Sequence, residues 1–315
     1  MRSGRASRGV LLCALAVLLV AAAAWWRQGR GRPRRGAGAG SGRFGVVGIF
    51  KNEARGLREW VEHYAWQGAD AVLLLDNGST DGWRAALAGL GGSGLELAVL
   101  PAPARHAQER HYAELALPWL EARGVEFAAV VDVDEFLFAE SGNATVKSLA
   151  LAAFAGAAAG RGPGLVSQLT CPFFHFGSSG FERQPRSVRA CFTMRSATTS
   201  APEHGKSIVR LASLERFRIH THDVVAAGAA GAASAAGAAG PCPEGLLLFH
   251  FKTQSREYWR EVKMARGDVS GAHYEGARDW SFFERDDRIG SAVRDTRLRD
   301  LALARGMASE ADCGV

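Results

Sequence analysis

Asp132 and Asp134 stand two residues apart just after an apolar run, Phe127 to Val131. Such a run reads as a buried strand. In extended chain, residues i and i+2 point to the same side, so both carboxylates would aim at one point with Val133 turned away. Two hard oxygen donors at a strand end suit a Mg²⁺ or Mn²⁺ ion that also holds phosphate oxygens. Without a cation, two adjacent buried carboxylates could not both stay ionised. The spacing alone is equally that of a solvated acidic strand end, so the elements around it must decide.

Those elements alternate. Phe44 to Phe50 reads as a buried strand that ends in Lys51-Asn52-Glu53. Leu57, Trp60, Val61 and Tyr64 recur at helical spacing. Ala71 to Leu75 reads as a second strand, and Asp76-Asn77-Gly78-Ser79-Thr80-Asp81-Gly82 is turn and helix-cap chemistry. A helix to about Leu90, a strand over Leu95–Leu100 and a helix from about Ala104 to Arg123 complete a β-α-β-α-β-α-β order. This order predicts an α/β fold, a Rossmann-type, mostly parallel sheet flanked by helices. Ligands of such sheets bind beyond the carboxyl ends of the strands. Lys51, Asn52, Glu53, Asp76, Asn77, Asp132 and Asp134 all fall at that edge.

Leu165 to Phe174 and Ala190 to Met194 read as strands, with Gly177-Ser178-Ser179-Gly180 between them as a sugar- or phosphate-contacting loop or a plain turn. Lys206, before the apolar Ile208-Val209, would neutralise a bound phosphate group, or is a surface lysine. His220 and His222 share a strand face. His250 sits in the apolar run Leu246–Phe251, where a buried imidazole needs a partner. It reads as a metal ligand or as a core histidine bonded to a carbonyl. Glu257 to Arg266 reads as an amphipathic helix with Tyr258, Trp259, Val262 and Met264.

The formal net charge of +6 comes from the N-terminus, because residues 1–43 hold nine arginines and no acid. Without them, residues 44–315 carry −3, so the high pI does not point to nucleic acid as a partner. Val10 to Trp26 is an uncharged apolar run of 17 residues ending in Trp25-Trp26. It reads as a transmembrane signal-anchor after a short cytoplasmic tail (1–9); a cleaved signal peptide with small residues at Ala21 to Ala24 is the other reading. A Gly/Arg/Pro-rich stalk would follow over 27–43, then the catalytic domain over 44–290 and a tail over 291–315. The Ala/Gly stretch 226–240 reads as a low-complexity insertion. Cys171, Cys191, Cys242 and Cys313 lack C-x-x-C spacing, and either a disulfide such as Cys171–Cys191 or free thiols fits them. Asn143-Ala144-Thr145 is a glycosylation sequon compatible with a lumenal body.

Several blocks carry a resemblance. Phe50-Lys51-Asn52-Glu53, Leu57-Arg58-Glu59-Trp60-Val61-Glu62-His63-Tyr64, Leu75-Asp76-Asn77-Gly78-Ser79-Thr80-Asp81-Gly82 and Val131-Asp132-Val133-Asp134-Glu135-Phe136 resemble glycosyltransferase family 92 and its family 2-like relatives. Phe176-Gly177-Ser178-Ser179-Gly180, Gly205-Lys206-Ser207-Ile208-Val209 and Phe249-His250-Phe251-Lys252 are similar to later blocks of that family. The resemblance implies a GT-A-like fold, a nucleotide-sugar donor, a divalent metal (usually Mn²⁺) and a glycan or glycoprotein acceptor. It implies that Asp132 and Asp134 hold metal and diphosphate, with His250 or His222 completing the metal shell. Asp76 and Asn77 would contact the nucleoside, and Lys51, Asn52 and Glu53 the donor. Asn77 stands where such relatives often carry a second acid, which leaves a preference for uridine open. The expected protein is a Golgi- or ER-anchored type II glycosyltransferase using a UDP-sugar. The rival classes are a catalytically inactive glycan-binding scaffold and a sugar nucleotidyltransferase. The general base is unassigned; Glu135 and Glu203 are the nearest candidates.

Overall fold

The computed structural model describes residues 42–92, 94–161, 166–218, 223–226, 238–266 and 278–314. The anchor reading at 10–26, the N-terminal tail, most of the stalk, His220 and His222 lie outside them. No helix among the described residues is long and apolar enough to cross a membrane.

Strands β1 (Phe44–Phe50), β2 (Ala71–Asp76), β3 (Glu96–Pro101) and β4 (Phe127–Val130) are all parallel, in the order β3-β2-β1-β4. The apolar residues of β1, β2 and β4 are almost all buried, on both faces, as helix-covered parallel strands require, whereas β3 at the sheet edge is half-buried. On one face, helix Ala54–Trp66 lays down Leu57, Trp60, Val61 and Tyr64, each fully buried. Gly48 allows that approach, since a Cβ there would come within 3.1 Å of the Trp60 ring. The other face is covered by Gln108–His111, a π-helical turn at Tyr112–Ala116 and helix Leu117–Ala122. Pro118 accounts for the widened turn, because its ring crowds the carbonyl four residues back and it has no N–H to donate.

After β4 the chain turns at 133–134 and leaves the sheet, so the stretch around the acidic pair is not one continuous strand. Strand β5 (Glu135–Ala139) belongs to a second sheet, in which it lies beside β13 (Leu246–His250), with β7 (Phe173–His175) on the far side of β13. The main sheet is extended on the other side of β4. There β6 (Val166–Cys171) and β9 (Lys206–Arg210) enter as β4-β9-β6-β12, with β9 antiparallel to both neighbours and β12 (Ala238–Pro241) parallel to β6. The seven-stranded sheet is therefore mixed but mostly parallel. The apolar run 165–174 is two strands, because the chain breaks at Pro172 and β7 (Phe173–His175) joins the second sheet beside β13 (Leu246–His250). The antiparallel pair β10 (Leu214–Arg218) with β11 (Asp223–Ala226) and the antiparallel pair β8 (Met194–Arg195) with β14 (Val293–Arg294) complete the described strands.

Further expectations are corrected. Residues 190–194 do not form one strand: Ser187 caps a short helix, Val188–Cys191, with its hydroxyl accepting the Ala190 N–H, and only Met194–Arg195 is extended. The cysteines pair as Cys171–Cys242 and Cys191–Cys313, not Cys171–Cys191. Register explains the first bridge: Pro241 lies opposite Thr170, which brings the next residue of each strand together. The second ties helix Val188–Cys191 to the 3₁₀ turn Glu310–Cys313. Residues 291–314 thus join the body through β14, through helix Arg297–Ala304 with Leu298 and Ala302 buried, and through a disulfide. Of the Ala/Gly stretch 226–240, residues 227–237 lie outside the described residues, and 238–240 belong to β12.

Candidate active site

A cavity of about 370 Å³ opens past the carboxyl ends of β1 and β4. Lys51, Glu53, Asn77, Asp132, Asp134, Lys206 and His250 line it; Asn52 and Asp76 do not. Those two hold the rim together instead. Asn52 adopts φ 56°, donates its N–H to Ser79 Oγ at 2.9 Å and accepts the Thr80 N–H on Oδ1 at 2.8 Å. Asp76 Oδ1 accepts the Ser79 N–H at 2.7 Å. The Asn77 amide donates to the carbonyls of Ala102 and Ala104 at 2.6 and 3.0 Å, fixing the segment that brings His106 and Gln108 to the cavity wall. Gly177-Ser178-Ser179-Gly180 is away from the cavity and structural: Ser179 Oγ accepts from the N–H groups of Thr193 and Met194.

The acidic turn is clamped from within. Glu135 Oε2 accepts the Asp132 N–H at 2.8 Å, and the Glu135 N–H donates to Asp132 O at 3.0 Å. The Trp60 indole donates to the carbonyls of Asp132 and Glu135. Each carboxylate then has its own cation. Lys206 Nζ lies 2.8 Å from Asp132 Oδ2 and 3.4 Å from Glu135 Oε1. Lys263 Nζ lies 2.5 Å from Asp134 Oδ2 and 3.7 Å from Glu53 Oε1. Glu53 also pairs with Arg266 and accepts the Tyr258 hydroxyl. Because His250 is directly opposite Glu135 across β5 and β13, its ring bridges the turn. Nε2 is 3.4 Å from Asp134 Oδ1, and Nδ1 is 3.4 Å from Glu135 Oε1.

Burial alone would raise the Asp134 carboxyl, but the Lys263 ammonium and His250 hold it well below the usual carboxylate range. Glu135 behaves oppositely: burial, helped by Asp132 and Asp134, pushes it up to about 7 against the pull of Lys206. Burial lowers the Lys206 ammonium, yet Asp132 and Glu135 outweigh it and the group is raised.

The donor types suit a divalent cation. Asp134 and His250 converge, Asp132 faces the same cavity, and the buried Glu135 Oε1 and His250 Nδ1 make no hydrogen bond among the described residues. No group of three or more His, Cys, Asp or Glu among the described residues forms a metal cluster, however. The arrangement therefore fits a cation shared with phosphate oxygens and water, as Mg²⁺-type sites are built, rather than an all-protein cage. Six cationic side chains line the cavity (Lys51, Lys206, Lys252, Lys263, Arg266, Arg278) against four carboxylates (Glu53, Asp132, Asp134, Glu135). Lys252 is paired with Asp286 at 2.6 Å, which leaves a surplus of one positive charge and favours an anionic ligand.

Reasoning from sequence missed His106, Gln108, His175, Lys252, Lys263, Arg266 and Arg278 on the cavity wall. A signal existed for two of them: Lys263 and Arg266 are three apart in a helical run, hence on one face. Glu203 lies on the turn Pro202–His204, whose His204 reaches the cavity.

These features define a class: an α/β protein with a charged ligand cavity past the carboxyl ends of a mostly parallel sheet. The profile of glycosyltransferase family 92 matches residues 46–229, and the chain belongs to that family. It is 31% identical over 169 residues to a glycosyltransferase family 92 protein of Oryza sativa subsp. japonica, covering 52% of this chain and 26% of that relative. It is 29% identical over 171 residues to one of Ricinus communis, covering 54% and 29%. The chain thus spans under a third of the length of these relatives. Among solved structures, it is similar to glucosyl-3-phosphoglycerate synthase from Mycobacterium tuberculosis in complex with Mn²⁺, UDP and glucosyl-3-phosphoglycerate (16% identity, 42% of this chain and 44% of that one, TM-score 0.26). It is also similar to HddC from Yersinia pseudotuberculosis (9%, 70% and 97%, TM-score 0.37).

Proposed function

We propose that this protein is a metal-dependent glycosyltransferase with a GT-A-like fold. It moves a sugar from a nucleotide-sugar donor, UDP-linked, to a hydroxyl of a glycan or glycoconjugate. The observation that carries this reading is the pairing of Asp132 and Asp134 with a cationic surplus in one cavity at the sheet's carboxyl edge. Membership of family 92 supports the reaction class.

In this reading Asp132, Asp134 and His250 hold the cation, Mn²⁺ or Mg²⁺. When bound, it neutralises the diphosphate as the sugar leaves. Lys206 and Arg266 offer further positive charge to the same leaving group. The wall of Asn77, His106 and Gln108 takes the nucleoside, and Lys51 and Glu53 frame the donor beside it. Glu135 has no exposed surface and is committed to the turn, so it orients Asp132 rather than meeting an acceptor.

The two disulfides and the exposed Asn143 sequon support a lumenal body in the Golgi or ER, and the apolar run 10–26 supports a single-pass type II anchor. Titration calorimetry with UDP and GDP, with Mn²⁺ and with chelator, tests the function. UDP should bind only with Mn²⁺, and Asp134→Ala should abolish that binding while leaving the fold intact. Unchanged binding in the variant would remove Asp134 from the site. Absence of any nucleotide binding would favour a glycan-binding scaffold.

A further inference from the structure

Lys263 is an unusual lining residue. Its side chain is 1% exposed, and its ammonium sits between Asp134 and Glu53. It is carried by a π-helical turn, Trp259–Met264, of the kind that recurs at functional sites. The turn is firmly placed. Ser255 caps the helical turn just before it, Arg256–Tyr258, by accepting the Tyr258 N–H, and Trp259 stacks on Phe282 and meets Phe283 edge-on. A rigid element thus delivers a cation to the carboxylate that the proposed metal would use.

The charges around it already balance. Glu53 and Asp134 face Lys263 and Arg266, two anions against two cations, all nearly buried. A divalent ion held by Asp134 and His250 would add two positive charges beside the Lys263 ammonium. In so little solvent, such repulsion is poorly screened. A nucleoside diphosphate brings the compensating negative charge and an alternative acceptor for the ammonium.

We propose that Lys263 is a positioning residue that makes metal and nucleotide binding interdependent. Without nucleotide its ammonium occupies Asp134 and opposes the cation; with nucleotide it turns to the diphosphate and releases Asp134. This rests on the metal-site reading above. No bond is made or broken, and only an ion pair exchanges partner.

The test is calorimetric titration of Mn²⁺ into the full chain, with and without saturating UDP, after subtracting Mn²⁺–UDP association in buffer. Wild type should bind Mn²⁺ about tenfold or more tightly when UDP is present, within the usual range of coupling between sites. Lys263→Met should bind Mn²⁺ alone about tenfold more tightly than wild type and lose most of the coupling. Lys263→Arg, which keeps the charge, should retain more coupling than Lys263→Met. A residue that merely supported the fold would weaken Mn²⁺ binding when replaced. The inference is overturned if Lys263→Met binds Mn²⁺ alone no more tightly than wild type. It is also overturned if wild type binds Mn²⁺ equally with and without UDP, a result that needs no variant to fold. If wild type binds no Mn²⁺ under either condition, the metal-site reading falls and this inference with it.

Discussion

The indole N–H of Trp60 donates to the carbonyl oxygen of Asp132 at 3.0 Å, and it reaches that of Glu135 at 3.1 Å. A residue in the middle of the first helix therefore holds both ends of the acidic turn. Trp60→Phe keeps most of the ring packing but removes one of two donors from each carbonyl: Asp132 O keeps the Glu135 N–H, and Glu135 O keeps the Tyr64 hydroxyl. Loss of a hydrogen bond whose acceptor keeps another donor costs about 0.5–1.5 kcal/mol. Urea denaturation should show a loss in that range, and Mn²⁺-dependent UDP binding should weaken because the turn is less fixed. A variant as stable as wild type would show that the backbone of the turn needs no clamp.

Asn77 is held by its amide, not presented by it. Both of its N–H bonds go to the carbonyls of Ala102 and Ala104. Asn77→Asp would set a carboxylate against two carbonyl oxygens. It should lower stability by about 1–3 kcal/mol and weaken nucleotide binding regardless of the base. The measurement is thermal unfolding together with UDP and GDP titrations. A stable variant with a changed UDP-to-GDP ratio would make Asn77 a base-reading residue.

The Cys191–Cys313 bridge closes a loop of 122 residues and holds the chain's C-terminal turn against helix Val188–Cys191. Replacing both cysteines by serine should cost about 2–5 kcal/mol, as removal of native disulfides generally does. Limited proteolysis should then cut within 297–314 before it cuts the main sheet. Unaltered unfolding of the double variant would mean that packing of Leu298 and Ala302 suffices.

His63 gives a pH dependence of known sign. Burial, then the Arg189 charge, lowers its imidazole from 6.5 to about 3, against a hydrogen bond to Leu137 O. The unfolded chain binds the proton more readily between those values. The contribution of His63 to stability is therefore complete above about 6.5 and is lost as pH falls toward 3. Glu135 acts in reverse: its folded value, about 7, lies above 4.5, so its contribution is present below 4.5 and is lost as pH rises through 7. The two oppose each other in the wild type alone, so the useful observable is a difference. The stability gap between wild type and His63→Asn should shrink by about 2 kcal/mol from pH 7 to pH 5. A constant gap would mean that His63 titrates normally in the folded protein.

Much of this protein follows from local pattern. Apolar runs placed β1, β2 and β4, since a strand buried on both faces must be apolar throughout, and the apolar residues after Glu96 placed the half-buried edge strand β3. The spacing of Leu57, Trp60, Val61 and Tyr64 identified the face of the first helix, because the helical period depends on nothing distant. The parallel order then put Asp132 and Asp134 at the ligand-binding edge.

Local pattern did not reach what is set by contacts between distant residues. Val133-Asp134 reads as extended chain, yet it turns, because β5 leaves for a sheet built with β13, more than a hundred residues away. Cysteine partners depend on which strands become neighbours, and β12 beside β6 decided that Cys171 meets Cys242. The family resemblance puts Asn77 at the nucleoside, and it does line the cavity, but only the path of residues 102–104 shows its amide N–H groups spent on backbone carbonyls. The cations of the acidic pair, Lys206 and Lys263, arrive from 74 and 129 residues away. Sequence by itself determined which groups could do chemistry and on which edge they fall, because strand burial and helix period are local. Tertiary structure alone decided which charges face one another, because an ion pair is set by distance through space, and no spacing along the chain encodes it.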